Sequence, residues 1–290
     1  MSLPIFNLSS LDGSNGFRIN SLSNFISLSA SDAGDVNGDG FDDVILGDRY
    51  ASPNGFRSGS SYVVFGQASG FSATLDLSSL DGTNGFRLNG VATRDASGKS
   101  VSSVGDVNGD GFDDVIIGSP NAELSGIRPG SSYVVFGKES GFDASMSLSN
   151  LDGHNGFRLQ GTTDLGHVGG SVSGAGDVNG DGYDDLIISA PQNGTSVYGL
   201  FYMVLGRASG FGTVVDLSNS GIDNVIQING GFRANYLGWS VSGAGDVNGD
   251  GFDDVIVGTP EHNENGRYSG SSYVIFGSRD FGSGGELPEI

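Results

Sequence analysis

The chain has 290 residues, with 52 glycines, 7 prolines, no cysteine and a formal net charge of −21. The lack of cysteine excludes disulfides and thiolate metal sites, and the acidic balance excludes the basic footprint of a nucleic-acid-binding protein. The absence of a three-residue glycine period excludes collagen. No apolar run approaches the roughly 20 residues that cross a bilayer, so we expect no membrane insertion.

The first predicted element is an outer strand, Gly16–Asn20, within a Leu-Asp-Gly-x-Asn-Gly-Phe-Arg segment at 11–18. This segment returns at 80–87 and 151–158, and a diverged copy lies at 222–227. Next come a strand of small residues and the string Gly-Asp-Val-Asn-Gly-Asp-Gly, whose first Asp is residue 35, 106, 177 or 246. The spacings of 71, 71 and 69 residues identify four repeats.

Each repeat offers four short strands separated by Gly, Asn, Asp and Ser, as turns require. In the second repeat these are Ser100–Val104, Asp114–Gly118, Ser132–Phe136 and Gly156–Gln160. This pattern predicts an all-β protein, a β-propeller of four-stranded blades. We expect one domain over 1–290, with residues 1–24 supplying a closing outer strand and units at about 25–90, 91–161, 162–230 and 231–290.

The ends of the chain suggest how the blades close. The chain opens with a copy of the fourth strand and ends after a copy of the third, Ser272–Phe276. We therefore expect the N-terminal strand to complete the last blade and close a four-bladed ring, which removes exposed strand edges. Two chains sharing a larger ring is the alternative. The small residues of each first strand favour a place beside the axis over a strand of no special location.

Each Asp loop carries oxygen side chains at positions 1, 3, 5 and 9, with a glycine at position 6 and an aromatic residue at position 7 that offers its carbonyl. Many oxygens in a flexible loop are the ligands that Ca²⁺ prefers, whereas Zn²⁺ favours His or Cys. We predict four Ca²⁺ sites, formed by Asp35, Asn37, Asp39, Phe41 and Asp43; Asp106, Asn108, Asp110, Phe112 and Asp114; Asp177, Asn179, Asp181, Tyr183 and Asp185; and Asp246, Asn248, Asp250, Phe252 and Asp254. Four ions of charge +2 would bring the formal charge from −21 to −13.

Two other interpretations of these loops are weaker. Asn-Gly and Asp-Gly form ordinary turns, but four full copies favour a shared ligand. An EF-hand loop carries a Glu at position 12 and leads into a helix, whereas position 12 here is Leu46, Ile117, Ile188 or Val257, within predicted strands. The position 9 aspartates would have to supply the bidentate contact instead.

Other recurring or singular side chains are given structural roles. The position 8 acids are expected to face solvent or cap a turn: Asp42, Asp113, Asp184 and Asp253. Arg18, Arg87 and Arg158 recur in the outer strand, where we expect salt bridges. Trp239 is interpreted as a packing residue, with a place in a ligand pocket near the axis as the alternative.

The pattern resembles the FG-GAP repeat of integrin α propellers and their bacterial relatives. Phe-Gly at 65–66, 136–137 and 276–277 matches the first half of that name, and the residues at 118–120, 189–191 and 258–260 match the second half loosely, whereas Gly47-Asp48-Arg49 departs from it. The resemblance implies a propeller with calcium between the first two strands of a blade and a role in adhesion, recognition or scaffolding. Integrin propellers have seven blades, so the blade number stays open.

Little in the chain indicates catalysis, and we expect no enzyme. His154, His167 and His262 share no repeat position, and no phosphate-binding loop is present. We expect an extracellular or cell-surface calcium-binding adhesion, interaction or scaffold module whose ligand is a protein or a glycan, although no signal peptide is visible. A lectin-like propeller is the alternative, and a polysaccharide-acting enzyme is the third hypothesis. Both a monomer and a self-associating dimer agree with the sequence.

Overall fold

The computed structural model describes residues 7–21, 28–139, 141–192, 199–208, 210–217, 224–230, 236–261 and 269–281. The described chain is built from β-strands and three single-turn 3-10 helices, Leu8–Ser10, Leu77–Ser79 and Leu148–Asn150. Strand β1 (Arg18–Asn20) precedes the first repeat. The all-β prediction is therefore confirmed.

The repeats supply the remaining strands in the same order. The first repeat holds β2 (Leu28–Gly34), β3 (Asp43–Asp48), β4 (Ser60–Val64), β5 (Thr74–Asp76) and β6 (Gly85–Asn89). The second holds β7 (Ser100–Gly105), β8 (Asp114–Ser119), β9 (Ser131–Val135), β10 (Ser145–Ser147) and β11 (Gly156–Gln160). The third holds β12 (Val172–Gly176), β13 (Asp185–Ala190), β14 (Leu200–Val204), β15 (Val214–Asp216) and β16 (Val225–Asn229), and the fourth holds β17 (Ser240–Gly245), β18 (Asp254–Thr259) and β19 (Ser271–Ile275).

Each repeat folds into an antiparallel sheet that is consistent with a propeller blade. The orders are β2-β3-β4-β6, β7-β8-β9-β11 and β12-β13-β14-β16, so the four predicted strands per repeat are present in the first three repeats. The described part of the last sheet is β17-β18-β19. A bulge ends the first strand of every sheet, as between Asp32 and Gly34, just before the Asp loop.

The long segment between the third and fourth strands forms an additional strand on the neighbouring blade. Strand β5 pairs in parallel with β1, β10 with β6, and β15 with β11. A phenylalanine of this segment stacks on a phenylalanine at the outer strand of the preceding blade: Phe71 on Phe17, Phe142 on Phe86 and Phe211 on Phe157, with ring centroids 4.1–4.5 Å apart. The extra length of the repeat therefore fastens each blade to the one before it.

The hydrophobic core lies between successive sheets. Residues on one face of β8 and β9, such as Ile116 and Val134, share a cluster with Leu186 and Ile188 of the next repeat. The opposite face, with Val115 and Ile117, packs against the first repeat. Blade strands buried on both faces read as continuous apolar runs in the sequence.

The inner strands β2, β7, β12 and β17 pack side by side in that order. Their small residues, including Ser102, Gly174 and Ser242, line a common cavity of about 270 Å³, so small side chains stand where the inner strands meet. Among the described strands, β17 and β2 do not pack against each other as neighbouring inner strands do. Strand β1 pairs with β5 of the first repeat, not with a described strand of the last repeat. Closure of the last blade by β1 is therefore not observed, and the closed four-bladed ring stays a prediction.

Candidate metal centre

Each Asp loop connects the first strand of a blade to the second. In the first repeat the chain leaves β2 at Gly34, whose φ of +68° lies in the left-handed region, and turns again at Gly38 and Gly40. Residues with a Cβ rarely adopt these angles, so glycine permits the tight curl. Val36 is fully buried and anchors the loop in the core, which leaves the neighbouring polar side chains at the surface.

The oxygens at positions 1, 3 and 5 converge on the centre of this curl. The backbone amide of Asp39 donates to Asp35 Oδ1 at 3.0 Å and to Asn37 Oδ1 at 2.9 Å. Asp35 Oδ2 accepts from Gly40 N at 2.9 Å, and Asp39 Oδ1 accepts from Phe41 N at 3.0 Å. The side chains at positions 1, 3 and 5, which are two residues apart in the sequence, are thus held around one turn of the loop.

The same arrangement recurs in the other three loops. Asp106, Asp177 and Asp246 each accept from the amide at position 5, at 3.0–3.1 Å. The asparagines at position 3 accept from that same amide at 2.9 Å and donate through Nδ2 to the position 5 carboxylate at 2.8–3.0 Å: Asn108, Asn179 and Asn248. Four copies with one geometry show that the loop conformation belongs to the repeat.

The position 9 aspartates are buried and tie the loop to the Phe-Gly motif. Asp43 accepts from Val36 N at 3.0 Å through Oδ2 and from Gly66 N at 2.8 Å through Oδ1. The equivalent pairs of bonds reach Asp114, Asp185 and Asp254. The glycine of each Phe-Gly pair, or of Leu205-Gly206 in the third repeat, therefore supplies a backbone amide to a carboxylate of its own blade.

Burial dominates the ionisation of three of the position 9 carboxylates, Asp43, Asp114 and Asp185. It raises the pKa of Asp43 to about 7 and that of Asp185 to about 8, and it raises the pKa of Asp114 well above the usual range. The backbone amides oppose the shift, and the loop acids at positions 1 and 5 reinforce it. A cation in the loop would favour the ionised form of all these groups.

The position 8 acids of the last three repeats cap a loop, which is one of the two roles predicted for them. Asp113 Oδ2 accepts from the backbone amide of Asp35 at 2.7 Å, Asp184 from that of Asp106 at 2.9 Å, and Asp253 from that of Asp177 at 3.0 Å. Of the two predicted roles, capping is therefore observed for these three rather than exposure to solvent, although the loop that each one caps belongs to the preceding repeat. Asp42, whose repeat is first in the chain, is exposed as expected.

The donor chemistry of the loops fits a hard cation. Each loop gathers two carboxylates and an amide oxygen, and a carboxylate oxygen that accepts one N–H keeps a further lone pair. The position 9 carboxylate already accepts from two backbone amides. Within the described ranges, no group of three or more acidic or histidine side chains forms a metal-binding cluster by itself. The amide oxygen at position 3 and the carbonyl at position 7 would therefore be needed to complete the shell.

Two predictions for single residues are wrong. Trp239 has 60% of its surface exposed and meets only the edge of Tyr236 among the described aromatic rings, so it is not a packing residue. The described arginines, including Arg18, Arg87 and Arg158, form no salt bridge; the described ion pair is the exposed His154–Asp152 contact. Arg158 instead hydrogen-bonds Gln160 on its own strand.

Sequence comparison places three of the four Asp loops in a known repeat. The FG-GAP repeat matches residues 98–135, 168–202 and 237–275, in the second, third and fourth repeats. The chain is 29% identical over 231 residues to integrin alpha pat-2 of Caenorhabditis elegans, covering 78% of this chain and 17% of the relative. It is 32% identical over 177 residues to mouse integrin alpha-IIb, covering 59% and 16%.

Chicken integrin alpha-V gives 27% identity over 232 residues, which covers 78% of this chain and 19% of the relative. The chain thus spans less than one fifth of the length of these relatives. None of the helices within the described residues is long and apolar enough to cross a membrane. The chain thus contains three FG-GAP repeats, and over about four fifths of its length it is similar to integrin α subunits.

Proposed function

We propose that the four Asp loops bind Ca²⁺ and that the chain is a calcium-stabilised adhesion or interaction module which works outside the cell or at its surface. The observation that carries the proposal is that in every loop the position 1 and position 3 side-chain oxygens accept from one backbone amide, that of position 5. The position 5 carboxylate lies beside them, because it accepts from the position 3 side-chain amide and from the position 7 backbone amide. Oxygen ligands in a flexible loop favour Ca²⁺ over Mg²⁺, which requires a stricter octahedron.

In the first loop Asp35, Asn37, Asp39, the Phe41 carbonyl and Asp43 would hold the ion, and the equivalent residues would do so in the others. The bound ion would supply positive charge where acidic side chains of one loop repel one another. Extracellular calcium at millimolar concentration fills even weak sites of this kind. The similarity to integrin α subunits supports a role in binding partners rather than in catalysis.

Calorimetric titration of chelator-treated protein with CaCl₂ tests the metal sites. We expect four equivalents of bound Ca²⁺ and weaker binding of Mg²⁺. The Asp39→Asn variant removes one carboxylate of the first loop but keeps an oxygen that can accept from Phe41 N, and it should reduce the stoichiometry to three.

The matched control is Asp42→Asn, which removes the same charge three residues away in the same loop from an exposed side chain outside the ligand set. It should keep four equivalents. Absence of calcium binding by the unmodified chain, or equal loss of binding in the two variants, would contradict the proposed sites.

A further inference from the structure

Four arginines gather at one place on this acidic protein. Arg49, Arg57, Arg94 and Arg128 line a cavity of about 310 Å³ together with Tyr50 and Phe56. The chain has only 13 lysines and arginines against 34 acids, so these four arginines are a large share of its positive charge. None of the four forms an ion pair with a carboxylate in the described part of the chain. We call this cavity the arginine pocket.

The pocket lies at the opposite end of the blades from the Asp loops. Its residues come from the β3–β4, β6–β7 and β8–β9 connections of the first two repeats. In an antiparallel blade successive connections lie at opposite ends of the sheet, and the Asp loops occupy the β2–β3 and β7–β8 connections. A ligand in the arginine pocket would therefore not compete with a metal in the loops.

Aromatic rings and backbone bonds hold the arginines in place. The guanidinium groups of Arg49 and Arg57 both lie over the Tyr50 ring, at 4.7 and 4.8 Å from its centre, and Arg49 Nη2 donates to the Tyr50 hydroxyl at 2.7 Å. Arg94 N donates to the Phe56 carbonyl at 2.8 Å, which joins the two connections. The two like charges over one ring repel each other, and a bound anion would relieve that repulsion.

The packing of the repeats does not require this cluster. At the next junction, Pro120 stands at the position of Arg49 and Leu165 at the position of Arg94, with the same left-handed backbone at Leu165 (φ +58°) and Arg94 (φ +72°). Arg57 has an arginine counterpart in Arg128, so the first junction departs from the next at Arg49 and Arg94, which supply the additional charge. A feature of one junction only is more readily explained by a ligand than by the fold.

We propose that the arginine pocket binds a small saccharide that carries carboxylate or sulfate groups, which deepens the proposed interaction role by naming a class of ligand. Guanidinium groups bind these oxyanions through paired N–H donors. Phe56 is 57% exposed and offers an apolar face on which a sugar ring can rest. The cavity volume suits one or two sugar rings, and the net charge of −21 disfavours a long polyanion.

Calorimetric titration of the calcium-loaded chain tests this proposal with digalacturonate as the carboxylate probe and sulfated N-acetyllactosamine as the sulfate probe. We expect binding of at least one probe, weakened by raising NaCl from 50 to 500 mM, and no binding of unsulfated N-acetyllactosamine. The Arg94→Leu variant, which copies the residue of the next junction, should weaken binding about tenfold or more. Arg207→Gln, which removes a positive charge outside the pocket, should leave the affinity unchanged.

Equal affinity of the wild type and the Arg94→Leu variant would overturn the assignment, as would the failure of both acidic probes to bind. Binding of tetra-aspartate as tightly as of the acidic saccharides would overturn the ligand class in favour of an acidic peptide. None of these results bears on calcium, because the stoichiometry of Ca²⁺ is measured separately and its sites lie at the other end of the blades.

A second inference rests on the junctions between repeats. At each of the three internal junctions a position 8 aspartate caps the preceding loop, and the amide that follows the Phe-Gly or Leu-Gly pair donates to the carbonyl of the preceding position 2 valine. An aromatic ring at position 7 also covers a loop glycine of the preceding repeat, as Phe252 covers Gly180. The junction is therefore a repeated and specific contact.

The two ends of the array expose the two halves of this contact. At the last repeat, Val247, Ile256 and Val274 are 58%, 37% and 44% exposed, whereas their counterparts in the third repeat, Val178, Ile187 and Met203, are at most 1% exposed. Position 4 of the last loop, Gly249, has no atom within 4 Å of a Cβ built on it.

At the first repeat the complementary side chains are exposed. Val44 is 37% exposed, against 0% for its counterpart Val115, and Phe41 is 43% exposed. Strand β1 pairs with β5 in the same way that β6 pairs with β10. On its other side β6 pairs with β4, whereas β1 has no such partner among the described strands. The first repeat is thus shaped to receive a preceding blade.

We infer that the exposed face of the last repeat binds the exposed face of the first repeat of a second copy, head to tail. Asp42 would cap the backbone amide of Asp246 in the other copy, and Phe41 would cover its Gly249. A second copy would place its β2 beside β17 in the way that the three internal junctions place neighbouring inner strands side by side. Such a contact joins two different surfaces, so it either closes a ring or extends.

Light scattering after size-exclusion chromatography tests this contact with one variant on each face. We expect the wild-type chain to form dimers or larger assemblies, and Val44→Lys and Val274→Lys each to be monomeric alone. A mixture of the two variants should restore a dimer, because the intact tail of one meets the intact head of the other. Val214→Lys, at an exposed valine elsewhere, should assemble like the wild type.

A monomeric wild type at every concentration, or a mixture of the two variants that stays monomeric, would overturn the head-to-tail contact. The mixing experiment also separates this contact from closure within one chain, since closure within one chain gives monomers in both the wild type and the mixture.

Discussion

Asp113 Oδ2 accepts a hydrogen bond of 2.7 Å from the backbone amide of Asp35, 78 residues earlier in the chain. This bond links the loop of one repeat to the loop of the next, and it recurs at the two following junctions. The proposed metal sites are therefore connected to each other through the side chains that stand next to their ligands. A cation that orders one loop would also stabilise the junction with its neighbour.

The Asp113→Ala variant should lower the free energy of unfolding by about 2 kcal/mol, because it leaves a loop amide without its charged acceptor. Urea denaturation followed by circular dichroism measures this at a protein concentration where the chain is monomeric. The matched control is Asp42→Ala, whose side chain is exposed and caps no described loop; it should change the free energy by less than about 0.5 kcal/mol. Equal effects would show that Asp113 contributes no more than a surface acid.

A methyl group at Gly109 should disturb the junction, since its carbon would stand 2.4 Å from the Tyr183 ring of the next repeat. Gly249→Ala is the control, because Gly249 has a similar φ of +78°, against +74° at Gly109, but no atom within 4 Å of the new carbon. Both variants carry backbone strain of about 1 kcal/mol. At a protein concentration where the chain is monomeric, so that no second copy covers Gly249, Gly109→Ala should lower the melting temperature clearly further than Gly249→Ala does. Equal melting temperatures would contradict the packing of Tyr183 on Gly109.

The segment between the third and fourth strands should stabilise the preceding blade. Phe142 stacks on the buried Phe86 at 4.5 Å. Phe142→Ala should cost about 2 kcal/mol of unfolding free energy, less than the roughly 3–5 kcal/mol of a fully buried phenylalanine. Leu8→Ala, at a residue 75% exposed, should cost less than about 0.5 kcal/mol. Equal costs in urea denaturation would show that the segment does not fasten the blades.

The metal-free protein should lose stability as the pH rises from about 4 to 8. Burial raises the pKa of Asp43 from 3.8 to about 7 and that of Asp185 to about 8, so the folded state binds more protons than the unfolded state across this window. The free energy of unfolding then decreases with pH. Urea denaturation at pH 5 and pH 8 in chelator measures the difference, which saturating calcium should reduce. Greater stability of the chelated protein at pH 8 would contradict the burial of uncompensated carboxylates.

The repeats, the strands and the Phe-Gly landmarks were predictable because they depend on local rules. Alternating turn residues and β-branched runs determine β3 and β8, and glycines at positions such as Gly40 determine the loop turn. Partners of the position 8 acids were not predictable, because the contact from Asp113 to Asp35 depends on the distance between successive blades. The sequence offered one signal that was underused: all four repeats keep an acid there.

The additional outer strands were missed for a similar reason. Ser145–Ser147 is three residues long and has no blade of its own to pack against, so its pairing with β6 is decided by the neighbouring repeat. The arginine pocket was missed because its four arginines come from three separate connections and only the fold brings them together. Trp239 was misassigned because large aromatic residues usually pack inside, whereas here the ring lies at the surface.

The central claim is that a cation in each Asp loop stabilises the blade array, and the most direct test is the free energy of unfolding of the wild-type chain in urea at graded free Ca²⁺. A folded state with four Ca²⁺ sites should become steadily more stable as free Ca²⁺ rises, by about 2.7 kcal/mol per site when the Ca²⁺ concentration is 100 times the dissociation constant. EDTA should reverse the gain. Identical unfolding curves in saturating calcium and in chelator would contradict the account.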